Sequence, residues 1–232
     1  VSTFVFIYKS LNVPDFAYAF VILGGAMIAY WLNILWSMAS QLYWERMTGN
    51  LPIFFIAPCS INSILIGMAL GGMVAASVRA ISILILGILI FKIPVDFSNL
   101  SSALFIFSIT LIALYGLGMM LSSVFLLSGR EAWHLASLLQ EPIYLFSGFF
   151  FPVKVFPFII SFLSSLLPTT LGLDALRQTL ILGSKPFAFL TVELETVILL
   201  FLSGIYIGGS FYLAKRIETI ARREGRLIVR WQ

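Results

Sequence analysis

The chain is short of charge. Of its 232 residues only 10% are charged, against 60% hydrophobic and 15% aromatic, and mean hydropathy is +1.05. A water-soluble globular domain carries roughly 25% charged residues, so there is too little charge here to cover a wetted surface. That shortage excludes a disordered chain, a nucleic-acid binder and an ordinary cytosolic enzyme. Cysteine is nearly missing as well: Cys59 stands alone, which excludes a disulfide framework and any cysteine-based zinc site. With His134 the one histidine and no carboxylate cluster in the apolar runs, metal-assisted catalysis and intramembrane proteolysis lack their parts. Gly183-Ser184-Lys185 has no earlier glycine at P-loop spacing and runs into Pro186, so no phosphate-binding loop is present. The chain is expected to bind no metal or cofactor and to have no catalytic site.

What it does have is long apolar stretches. A bilayer-spanning helix needs about 20 apolar residues, and the chain divides on that scale into an all-α polytopic membrane protein with about six transmembrane helices. Residues 1–11 are too short to cross and are expected to be the end of a first, truncated span. Residues 16–44 form the second span, closed by the interfacial cluster Tyr43, Trp44, Glu45 and Arg46. Residues 45–62, broken by Gly49, Pro52 and Pro58, form a connection. The third and fourth spans are expected over 63–91 and 100–127. A shorter fifth, over 135–151, contains Glu141-Pro142, where a kink is expected. Prolines 152, 157, 168 and 186 then divide 157–182 into two pieces too short to cross, read as two short re-entrant external helices. The sixth span covers 196–214 and leads into a tail, 215–232.

Net charge is +4, and six of the fourteen Lys and Arg lie between Lys215 and Arg230. Positive charge near helix ends is held on the cytoplasmic side, so the tail reads as a topology signal in a multi-pass cell-membrane protein. The tail, the 45–62 connection and the Arg130-Glu131 turn are then cytoplasmic, and the 157–182 pair faces outside. Arg79 and Glu141 are the ionisable residues expected at membrane depth, where such groups carry ion coupling unless they snorkel or pair. Small residues recur at helical spacing: Gly67 and Gly71, Gly204 and Gly208, with Gly24-Gly25 and Gly116-x-Gly118 in two other spans. They let helix backbones approach closely, and packing inside one subunit is the expected use of any one pair, with a dimer seam as the alternative.

Two blocks carry a resemblance. Tyr43-Trp44-Glu45-Arg46-Met47-Thr48-Gly49-Asn50-Leu51, followed by Ala57-Pro58-Cys59-Ser60, is similar to the cytoplasmic connection of ABC-2 type transporter permeases. Thr48 and Gly49 stand in the reverse of the family's order, and Pro52 sits where it often has a charge. Ser147-Gly148-Phe149-Phe150-Phe151-Pro152, then Phe156-Pro157, Leu167-Pro168-Thr169 and Asp174-Ala175-Leu176-Arg177, resembles the family's signature ahead of the last span.

The resemblance implies a permease that pairs with a second permease, as a homo- or heterodimer, and docks on two ABC ATP-binding subunits that hold ATP and Mg. It implies coupling to the ATPase through Trp44, Glu45, Arg46, Thr48, Gly49 and Pro58, with Arg130 and Glu131 as a second contact. The external motif would comprise Ser147, Gly148, Pro152, Pro157, Pro168, Asp174 and Arg177. With 22 phenylalanines available for cavity walls, the expected cargo is an amphipathic drug-like or lipid-linked molecule exported at the expense of ATP. The alternatives are a non-transporting membrane scaffold and an ion-coupled carrier using Arg79 and Glu141.

Overall fold

A computed structural model of the chain describes residues 2–10, 16–56, 60–91, 96, 98–128 and 132–224. Hydrocarbon offers no hydrogen-bond partner, so an apolar run must satisfy its backbone within itself, and helix is what these runs form. In chain order they are α1 (Ser2–Ser10), α2 (Phe16–Leu32), α3 (Gln41–Thr48), α4 (Leu51–Ile56), α5 (Ile61–Phe91), α6 (Leu100–Ser128), α7 (Ala132–Phe146), α8 (Phe158–Ser165), α9 (Pro168–Leu180) and α10 (Val192–Glu224). Among the described residues four helices are long and apolar enough to cross a membrane: Ala17–Thr48, Ile61–Phe91, Leu100–Ser128 and Val192–Thr219. The pair α8 and α9, bent by 101° at its break, makes a fifth if counted as one broken span. The fold is that of an all-α polytopic membrane protein.

The first long helix is continuous because α2 and α3 are joined by a π-helical stretch, Asn33–Ala39, rather than by a loop. Ser40 Oγ, bonded to the Leu35 carbonyl at 2.7 Å, reaches five residues back across the widened turn. Gly49 ends the helix. Its φ of 81° is left-handed, and its N–H and that of Asn50 return to the carbonyls of Arg46 and Glu45. Trp44, Glu45, Arg46 and Thr48 therefore form the last turns of a helix. Pro58, Arg130, Glu131 and the tail beyond Glu224 lie outside the described residues.

Helix α6 is the hub. It packs along α10 and α9, against the π-helical stretch, and against α3 and α5. Its two glycines serve opposite neighbours: Gly116 admits Ile207 and Tyr206 of α10, and Gly118 admits Ile34 and Met38. By contrast α5 and α10 turn much of their surface outward, with Leu70, Val74, Val78, Ile85, Leu89, Val197 and Phe201 exposed. Such faces mark an interaction surface on a protein in water; on a membrane helix they meet acyl chains or another span.

The remaining glycines divide the same way. Gly24 abuts the Phe149 carbonyl, Gly72 meets Asn33 and Gly87 meets Ile22. A Cβ added at Gly67, Gly71, Gly204 or Gly208 would meet nothing within 4 Å beyond its own helix among the described residues. Of the two uses open to a glycine pair, packing within the subunit is thus not the one these two pairs serve among the described residues, since they lie on outward faces.

The fifth apolar run also behaves differently from a span over 135–151. Helix α7 has 15 residues, a length of about 22 Å, and stops at Phe146. There Gly148 takes φ 73° and Ser147, Gly148 and Phe149 turn into the bundle and are buried. Pro142 sits inside α7 without ending it. At the other edge of this region Asp96 accepts hydrogen bonds from the Ser98 hydroxyl and N–H. Ser98 so holds the Asp96 carboxyl below the usual carboxylate range, just ahead of α6.

Candidate functional site

At one end of the bundle the close of α3, the close of α6 and the start of α7 form a ledge. Arg46 Nη1 donates to the Leu126 carbonyl at 3.0 Å. Leu126 lies among the last four residues of α6, whose carbonyls have no partner in their own helix, so the guanidinium caps α6 from α3. Glu45 accepts from the Gln41 and Asn50 side chains at 3.5 and 3.2 Å. Thr48 Oγ1 donates to the carbonyls of Trp44 and Glu45. Trp44, 46% exposed, meets the edge of Trp133 at 6.0 Å between centroids, and Trp133 meets Trp36 at 4.7 Å. Trp36 Nε1 donates to Gln140 Oε1 at 2.6 Å. Through Trp133 and Gln140 the ledge holds α7, the helix that follows Arg130 and Glu131.

Trp36, Trp133 and Gln140 were not legible as partners in the sequence. Residues eight apart on an ideal α-helix diverge by most of a quarter turn, so Trp36 and Trp44 do not read as one face. The π-helical stretch adds a residue to the turn and brings them into line. Replacing Trp133 with alanine removes two edge-on aromatic contacts worth ~0.5–1.5 kcal/mol each. A drop in the apparent melting temperature of the detergent-solubilised protein, largely recovered by Trp133→Phe, is the expected outcome.

The opposite end is anchored by Arg177, 2% exposed in α9. Its Nη2 donates to the carbonyls of Phe20 and Phe149 at 2.9 and 3.1 Å, and its guanidinium lies 4.7 Å from the centre of the Phe20 ring. One side chain thereby ties α9 to α2 and to the turn after α7. Around it Ser184 Oγ donates to the Arg177 carbonyl, Lys154 Nζ to that of Pro186, and Tyr8 to that of Phe150. Asp174 Oδ2 accepts from the Phe189 N–H at 2.8 Å. Pro168 occupies the first turn of α9, where its missing N–H costs nothing, and Pro157 stands just before α8. Ser147, Gly148, Pro152, Asp174 and Arg177 are thus gathered at one end.

Arg79 and Glu141 are not gathered with anything in this region: both are exposed, on α5 and α7. Among the described residues the buried acidic and basic side chains are Asp174, Arg177 and Glu195. The sequence does not single out Glu195, which sits in the first turn of α10 near the exposed Glu193, where a carboxylate reads as a helix-end residue.

Between the two ends, α2, α5, α6 and α9 line a half-open cavity of about 350 Å³. Leu23, Met27, Phe107 and Leu176 are among its apolar walls, and Tyr30 and Ser77, hydroxyl to hydroxyl at 2.9 Å, are its polar side chains.

Long apolar helices around a buried hub, with a bent helix pair at one end and a braced ledge at the other, define a polytopic helical membrane protein. Over residues 2–181 the chain matches the family model of the ABC-2 type transporter, and it belongs to that family. Membership makes it the transmembrane component of an ABC transporter and carries association with ABC ATP-binding subunits. Neither a curated protein nor a solved structure gives a match to the chain.

Proposed function

We propose that the chain is the permease of an ATP-driven exporter of an amphipathic drug-like or lipid-linked substrate. It works with a second permease, identical or different, and two ATP-binding subunits that hold ATP and Mg. In this reading the ledge and the tail face the cytoplasm of a cell membrane, the bent α8–α9 pair faces outside, and the full arrangement has six spans.

The observation that carries the proposal is the bracing of the ledge. Arg46 is bonded to the end of α6, and Trp44 meets Trp133 of α7 edge-on. A push delivered at Glu45 and Arg46 is therefore passed to the hub helix and to the element leading to the outer turn, as a rigid-body switch requires. The cavity supports the cargo class: its volume lies in the range of small-molecule sites, and its walls suit an acyl chain or a fused-ring drug better than a bare sugar. Arg79 and Glu141, exposed on separate helices, give an ion-coupled carrier no buried relay to work through.

Charge reversal tests the coupling. With the ATPase bound, Glu45→Lys and Arg46→Glu are expected to leave ATP hydrolysis running. Substrate export in vesicles should fall by about tenfold or more, the factor that corresponds to one lost hydrogen bond to a charged group. Unchanged export per ATP in both variants refutes the ledge as the docking site. Failure of any ABC ATPase to co-purify with the permease refutes the assignment of partners.

A further inference from the structure

We propose that Asp174 of α9 and Glu195 of α10 form a proton-binding site, in which the two carboxyls share one proton and so clamp the bent helix pair to the last span. Asp174 is 5% and Glu195 0% exposed. Glu195 Oε2 accepts from Gln178 Nε2 at 3.0 Å, and the same amide nitrogen donates to the Leu190 carbonyl. Glu195 Oε1 is buried, and among the described residues no donor is in place on it. The Glu195 carboxyl lies within hydrogen-bonding reach of the Asp174 carboxyl. Two carboxylates in contact cannot both stay ionised away from water. A proton on one of them turns the contact into a hydrogen bond.

Charge balance leads to the same count. The groups facing the pair are Arg177, three residues along α9 from Asp174, and beyond it the Tyr8 hydroxyl of α1. Glu193 on α10 and Lys185 in the preceding loop are exposed. Arg177 supplies one positive charge, so one ionised carboxyl neutralises it and the second must be protonated for the buried cluster to be neutral. Burial of an unpaired charge costs several kcal/mol, which sets the occupancy at one proton, taken from solvent when the helices pack.

Infrared spectroscopy of the full chain in nanodiscs tests the site. At neutral pH the wild type should show the C=O stretch of a buried protonated carboxyl. Glu195→Gln removes the acid that holds the proton. Asp174→Asn also abolishes the band, because Glu195 then ionises to balance Arg177. The unfolding equilibrium supplies a second readout. The folded state keeps a proton that the unfolded chain has released above its ordinary carboxylate pKa, so stability is greatest at low pH and declines as pH rises. The unfolding constant of the wild type should rise about tenfold per pH unit through the neutral range, and Glu195→Gln should flatten that slope. A wild type with no protonated-carboxyl band overturns the site whether or not the variants fold. A band that survives Asp174→Asn assigns the proton to Glu195 by burial alone and overturns the sharing.

Discussion

Replacing Arg177 with glutamine should remove about 3–5 kcal/mol of stability, the cost of taking one member from a buried charge cluster. Domains are stable by only ~5–15 kcal/mol, so the expected readout is collapse of the yield of monodisperse protein in mild detergent. Three losses coincide. The carbonyls of Phe20 and Phe149 lose the donor that bridges them, and each buried acceptor left unpaired costs about 1–3 kcal/mol. The Phe20 ring loses its cation. Asp174 loses the positive charge beside it. Arg177→Lys should recover only part, because an ammonium is a point charge without the planar fork that spans two carbonyls while lying on a ring. Arg79→Gln is the control. That arginine is exposed on α5, and its replacement should move the melting temperature little.

The contrast between the two arginines shows what was legible in the sequence. The long helices were, because the length of an uncharged apolar run is itself the physical requirement for a span; α5 and α6 coincide closely with the runs expected over 63–91 and 100–127. The bend between α8 and α9 was foreshadowed by Pro168, which cannot continue a helix from the preceding residues. Depth within the bundle was not. Arg79, in the middle of an apolar run, is exposed on α5. Arg177, in a mixed segment between prolines, looks superficial and is almost fully enclosed. Burial is decided by which helices pack on which, and a linear pattern does not carry that information. The π-helical stretch was hidden for a related reason: Asn33 to Ala39 is as apolar as its neighbours, and tertiary contacts such as Tyr115 to Asn33 and Trp36 to Gln140 accompany the wider turn.

The glycines make the same point with opposite signs for one substitution. A Cβ at Gly24 runs into the Phe149 carbonyl oxygen, a backbone atom. That oxygen is also an acceptor for Arg177, so it cannot retreat without loosening the anchor. Overpacking a close contact costs ~1–3 kcal/mol, and a weakened hydrogen bond to a charged group adds about 1.5 kcal/mol or more. Gly24→Ala should accordingly lower the apparent melting temperature sharply, and Gly24→Val should prevent folding. At Gly67 and Gly71 a Cβ meets nothing within 4 Å among the described residues. There alanine relieves the helix of a glycine and is expected to stabilise it by roughly 0.5–1 kcal/mol. Thermal unfolding of the three alanine variants in one detergent settles the sign at each position; a destabilised Gly67→Ala in the isolated chain would mean that the outward face of α5 is covered from within. If that variant is stable but the proposed permease pair assembles less well, the face of α5 belongs to the second subunit. A close approach that one chain leaves unfilled is then completed by its neighbour.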